Sequence, residues 1–140
     1  MKKTANSLLV LLFAFNAISC NNTQSNNNLT SDDSLVKTKN VEVYYFHATR
    51  RCATCIAVGE VSRELVKDKY GDNPNVEFIE INIDESGNED LVEKFQVSGS
   101  GLYVYNGKDI ENITGFAFQY ARTKPDKLKD KLIELINKNL

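Results

Sequence analysis

Hydrophobic and polar positions change pattern at residue 41, and from there on the chain predicts regular elements. Val41-Glu42-Val43-Tyr44-Tyr45-Phe46 is β-branched and aromatic, the composition of a buried strand. Residues 53–70 place Val58, Val61, Leu65 and Val66 at helical spacing, and Gly71 supplies a stop. Residues 76–83 mix alternation with continuous apolarity and predict a second strand. Leu91, Val92 and Phe95 mark a short helix over residues 89–95, and Leu102-Tyr103-Val104-Tyr105 a third strand. Asn106-Gly107 predicts a hairpin turn, with residues 110–114 returning as a fourth strand. Leu128, Leu132, Leu135 and Ile136 share one face of a helix over residues 124–139, with Thr123 as its cap and Asp126 three residues on. Phe116-Ala117-Phe118-Gln119-Tyr120 has no clear period and reads as a packing loop or the first turn of that last helix. There is no internal repeat.

The predicted order is β-α-β-α-β-β-α. A βαβ unit makes the first two strands parallel, while the hairpin makes the last two antiparallel. The expected fold class is α/β, a mixed four-stranded sheet flanked by helices.

Residues 1–40 follow a different logic. Lys2 and Lys3 precede the run Leu8-Leu9-Val10-Leu11-Leu12-Phe13-Ala14-Phe15. A bilayer span needs roughly 20 apolar residues, so the run has the length of a signal-peptide core instead. Ala17-Ile18-Ser19-Cys20 looks like a bacterial lipobox with Ala17 where Leu is commoner, and Ala17-Ile18-Ser19 also fits an ordinary signal-peptidase site. Residues 21–40 are rich in Asn, Ser, Thr and Asp, too polar to offset the entropy of ordering them. As a flexible coil this tether spans about 25 Å. The expected organisation is a signal peptide over 1–19, a lipidated Cys20 with its disordered tether through 40, and one folded domain over 41–140. The expected location is the periplasmic side of a bacterial envelope, held to the membrane by the lipid.

Composition narrows the function. The 140 residues suit one domain, and the net charge of −2 gives no electrostatic footprint for nucleic acid. Without Lys2 and Lys3, 15 of the 17 basic groups and all 19 acidic ones remain, net −4. Three cysteines exclude a disulfide-knotted scaffold, and a single histidine excludes a histidine-rich metal centre.

The chemistry lies in Cys52-Ala53-Thr54-Cys55, directly after the first strand and opening the first helix. Two cysteines three apart on a first helical turn reach disulfide distance. The leading one meets free N–H groups and the helix dipole, which stabilise a thiolate. Cys52 is the candidate nucleophile and Cys55 the resolving thiol, and the redox-active disulfide between them serves in place of a cofactor. Arg50 and Arg51 add positive charge before the pair, or form only a solvated loop. His47 either packs at the strand end or, with Arg51, tunes the thiols. A closed zinc site needs four ligands, and the domain adds only His47 and carboxylates, so no resident metal is expected.

This arrangement resembles the thioredoxin-like fold over residues 41–140, without the additional N-terminal strand and helix of thioredoxin. More narrowly, residues 43–55 with Tyr120-Ala121-Arg122-Thr123 resemble the small lipoproteins called the nitrophenyl compound nitroreductase subunit ArsF family. The resemblance implies a thiol-disulfide oxidoreductase acting on protein thiols, disulfides or a redox partner protein. Ala53-Thr54 replaces the Gly-Pro of thioredoxin, and Tyr45 falls where thioredoxin has a buried acid, so no carboxylate relay is expected there. Ser100 and Gly101 fall at the place of the cis-proline. Their small size leaves room beside the thiols, which with His47 makes a thiolate-based module for a soft ion, arsenite or copper(I), the alternative reading. A third reading is a non-catalytic redox partner subunit.

Overall fold

β1 (Val41–His47) sits at the centre of the sheet because almost every one of its positions is apolar or aromatic and both its faces are covered. The computed structural model describes residues 40–140. The expected signal peptide, Cys20 and the expected tether up to residue 39 lie outside the described residues. After β1 come α1 (Ala53–Tyr70), β2 (Val76–Asn82), α2 (Glu89–Lys94), β3 (Gly101–Tyr105), β4 (Ile110–Asn112), α3 (Thr114–Tyr120) and α4 (Pro125–Asn139). The strand order is β2-β1-β3-β4, with β1 parallel to β2 and antiparallel to β3, and β3 antiparallel to β4. The mixed four-stranded sheet expected from the sequence is therefore present.

The two-residue period of the strands sorts the core into two layers. Val41, Val43, Tyr45, Leu102 and Val104 face α1, α3 and α4, where they meet Val58, Leu65, Ala117, Leu128 and Leu132. Tyr44, Phe46 and Tyr103 face the other way and close around Phe95 at the end of α2. There Phe95 lies 4.6 Å from Tyr44 and 5.2 Å from Phe46, ring centre to ring centre, within the range of favourable aromatic pairs.

Two local expectations are corrected, and the hairpin turn at Asn106-Gly107 is present. Residues 114–120 are a separate helix, neither a loop nor part of α4. Its fully buried residue is the small Ala117, with Phe116 and Phe118 flanking it, so no large-apolar stripe announces the helix. Phe116 and Tyr120 pair along it, i to i+4, at 4.7 Å. Thr123 does not cap α4, because its hydroxyl donates back to the Gln119 carbonyl at 3.1 Å. Lys124 stands at the cap without a side-chain bond, and Pro125, whose missing N–H costs nothing in a first turn, begins the helix. The hairpin opposes Tyr105 to Ile110, leaving a four-residue loop. Asn106 Oδ1 accepts from the amides of Lys108 (3.0 Å) and Asp109 (2.7 Å), and Gly107 takes the left-handed φ of 85°.

Candidate active site

Cys52 is the N-cap of α1. Its extended backbone (φ −76°, ψ 164°) lets the carbonyl accept from Ile56 N at 3.0 Å while Sγ accepts from Cys55 N at 3.1 Å. The first turn of α1 carries no acidic residue to compete for the helix N-terminus. Cys52 is exposed and Cys55 buried, both as free thiols. The Cys55 thiol, then the Cys55 amide, and further the amides of Thr54 and Cys52, hold the Cys52 thiol below its ordinary range, partly offset by desolvation. A reachable, anion-stabilised sulfur thus stands one turn ahead of a sheltered one.

Beneath them lies Tyr45, fully buried, whose hydroxyl donates to the Cys55 carbonyl at 2.6 Å. Burial first, and then the charge of Cys55, push its phenol up to about 12, so it stays a proton donor through the neutral range. Gly59 makes room for this ring: a Cβ at residue 59 would stand 2.7 Å from Tyr45 Cε1.

Beside Tyr45 in the β1–β2 register stands Glu80, a residue the sequence reading passed over. Its Oε1 accepts from Arg51 at 2.8 Å and lies 3.1 Å from His47 Nε2, and its Oε2 is bonded by Arg63 of α1. The other ring nitrogen of His47 lies 3.0 Å from the Ala48 carbonyl. Arg51 Nη1 and the two ring nitrogens of His47, groups expected to tune the thiols, lie against Glu80 and the Ala48 carbonyl. A carboxylate is present next to the Tyr45 position after all, supplied by the neighbouring strand. Farther along, Asn82 Nδ2 donates to Thr49 Oγ1 (3.2 Å) and Thr49 N to Asp84 (2.8 Å), a bond that holds the Asp84 carboxyl below its usual range. One signal was readable. Val76, Phe78, Glu80 and Asn82 share a strand face that turns polar toward its carboxyl end, where sites collect in α/β sheets.

No protein-family model and no curated protein matches the chain. Solved structures do. Thioredoxin O2 from Arabidopsis thaliana in its oxidized state superposes with a TM-score of 0.51 and 26% identity, over 69% of this chain and 76% of that one. A structure described as a malarial protein superposes with a TM-score of 0.50 and 23% identity, over 72% of this chain and 98% of that one. The fold is thioredoxin-like.

Within this thioredoxin-like frame, the loop expected to open a wall of the site is differently built. Among the described residues there is no cis peptide bond. Ser100 precedes β3, but Gly101 is its first residue, buried and paired with Phe46. A Cβ at residue 101 would stand 2.7 Å from Tyr103 Cε2 and 2.9 Å from Thr114 Oγ1, so the room attributed to Gly101 is already filled. That hydroxyl accepts from Leu102 N at 3.0 Å, which fixes it in place. Nor do Cys52, Cys55 and His47 assemble a three-ligand site. Among the described residues no three His, Cys, Asp or Glu side chains come together to hold a metal.

Proposed function

We propose that this chain is a thiol-disulfide oxidoreductase in which Cys52 attacks and Cys55 resolves. The observation that carries the reading is the N-cap geometry: an exposed Cys52 sulfur accepting the Cys55 amide at 3.1 Å, with Cys55 sheltered one turn behind. The likeness to an oxidized thioredoxin supports it at the level of fold. In the reducing direction the Cys52 thiolate attacks one sulfur of a substrate disulfide. A Cys52–substrate disulfide forms and the other substrate sulfur leaves as a thiolate. Cys55, deprotonated, then attacks Cys52 Sγ, closing the Cys52–Cys55 disulfide and releasing the second substrate thiolate. Two electrons pass to the substrate, and the reverse sequence oxidises a dithiol. Tyr45 fixes the first turn of α1 during both steps through the Cys55 carbonyl.

The substrates proposed are protein thiols and disulfides, or a redox partner protein. The narrower likeness to the nitrophenyl compound nitroreductase subunit ArsF family rests on residues 43–55 and 120–123 and adds no substrate. We place the domain at a membrane surface on the periplasmic side, tethered through a lipidated Cys20. The support is the basic start, apolar run and lipobox-like residues of the sequence. In the described residues no helix is long and apolar enough to cross a membrane.

Partner trapping tests the roles. A Cys55→Ser chain should accumulate mixed disulfides through Cys52, and a Cys52→Ser chain should not. Equal trapping on both, or none on either, contradicts the assignment.

A further inference from the structure

We propose that Glu80 is a positioning residue of the thiol pair, a carboxylate clamp that holds the loop delivering Cys52 to the N-terminus of α1. The loop over residues 48–51 joins the end of β1 to Cys52, and its side-chain ties run to β2 and the turn beyond it. Thr49 is held by Asn82 and Asp84, and the Ile83 amide donates to the His47 carbonyl at 2.8 Å. Glu80 grips both ends of the loop with one oxygen: His47 where it begins and Arg51 where it meets Cys52. Its second oxygen takes Arg63 of α1, so strand end, loop end and helix converge on one carboxylate. Arg63 in turn lies over the Phe78 ring at 5.5 Å. Isolated surface ion pairs contribute little, but a carboxylate with only 26% of its side chain exposed and three partners fixes geometry as a network does. The residue next to the N-cap is thereby fixed, and with it the approach of Cys52 Sγ to the Cys55 amide. The inference deepens the oxidoreductase reading and takes its functional meaning from it.

A clamp and a simple charge act with opposite sign on Cys52. Removing a carboxylate leaves Arg51 and Arg63 uncompensated, and by charge alone that favours the Cys52 thiolate. Releasing the loop loosens the N-cap bond and disfavours it. The test is iodoacetamide labelling of the reduced full chain across roughly pH 5 to 9, read at each cysteine by peptide mass mapping. Glu80→Ala should slow labelling of Cys52 about threefold to tenfold at mildly acidic pH and move its midpoint upward. Glu80→Gln, whose amide oxygen still accepts from Arg51, should stay within about twofold of wild type. In an Arg51→Met chain, where Glu80 keeps only His47 and Arg63 and the loop's end is already released, adding Glu80→Gln should slow labelling no further. Faster labelling in Glu80→Ala, an increase beyond about twofold in Glu80→Gln, or an unchanged rate in Glu80→Ala, overturns the clamp. Should Glu80→Ala fail to fold, Glu80→Gln with Arg51 in place decides alone: a rate within about twofold of wild type supports the clamp, and a larger increase is the charge effect and overturns it. Equilibration with glutathione keeps the two readings apart. A chain that forms no Cys52–Cys55 disulfide refutes the oxidoreductase, whereas the labelling profile reports on the clamp either way.

Discussion

Tyr45 and Cys55 are joined by a 2.6 Å hydrogen bond from the buried phenol to the backbone carbonyl, which ties the central strand to the first turn of the helix that carries both thiols. Tyr45→Phe deletes that bond while keeping the ring. The expected loss in urea unfolding is about 0.5–2 kcal/mol. The pH dependence has a definite sign. The phenol is pushed up to about 12 when folded and titrates near about 10 when unfolded. Its contribution is complete below the unfolded value and is lost as pH rises toward the folded one. Tyr45→Phe should therefore soften the alkaline loss of stability, with Tyr44 and Tyr70, also raised by burial, still contributing to it.

Gly59 and the Tyr45 ring occupy complementary space. Ala at 59 gains about 1 kcal/mol of helix propensity, but its Cβ would meet Cε1 at 2.7 Å, and the ring is held by its hydrogen bond. Overpacking of this kind costs about 1–3 kcal/mol. Gly59→Ala should destabilise the chain, and the same change in a Tyr45→Leu background should stabilise it. Equal effects in both backgrounds would separate Gly59 from the ring.

The Cys52 thiolate makes the stability of the reduced chain depend on pH. Folding holds this thiol below its ordinary range, chiefly through the Cys55 thiol and amide, whereas unfolded it titrates near about 8.5. Between the two values the folded chain binds fewer protons than the unfolded one, so stability rises with pH there. It is lost as pH falls through the folded value. Thermal melts of the reduced wild type should gain on Cys52→Ser across that window and level off above about pH 8.5. A difference that stays flat with pH contradicts the N-cap account.

Much of this was legible because the chemistry follows chain order. The strand at residues 41–46, the helix over residues 53–70 and the cysteines between them are adjacent in sequence, and the dipole argument for Cys52 needs only that adjacency. The partners of Glu80 were illegible for the opposite reason. Glu80 reaches Arg51 and His47 only through the parallel register of β1 and β2, which places residues some 30 apart side by side. Gly101 misled because small size was read as vacancy, and the Tyr103 ring and Thr114 hydroxyl that fill the space come from later positions. The α3 helix hid because an alanine is its buried residue.

Anchoring through Cys20 has its own test. The full chain expressed in a bacterium should incorporate labelled palmitate and partition into detergent, and Cys20→Ala should abolish both. Identical partitioning of the two chains contradicts the tether.

Equilibration of the reduced full chain with glutathione disulfide tests the central claim most directly. The account predicts that wild type loses two hydrogens in mass by closing the Cys52–Cys55 bond, while Cys55→Ser stops at a glutathione adduct on Cys52. Cysteines 52 and 55 that each take up glutathione independently, with no bond forming between them, would contradict it.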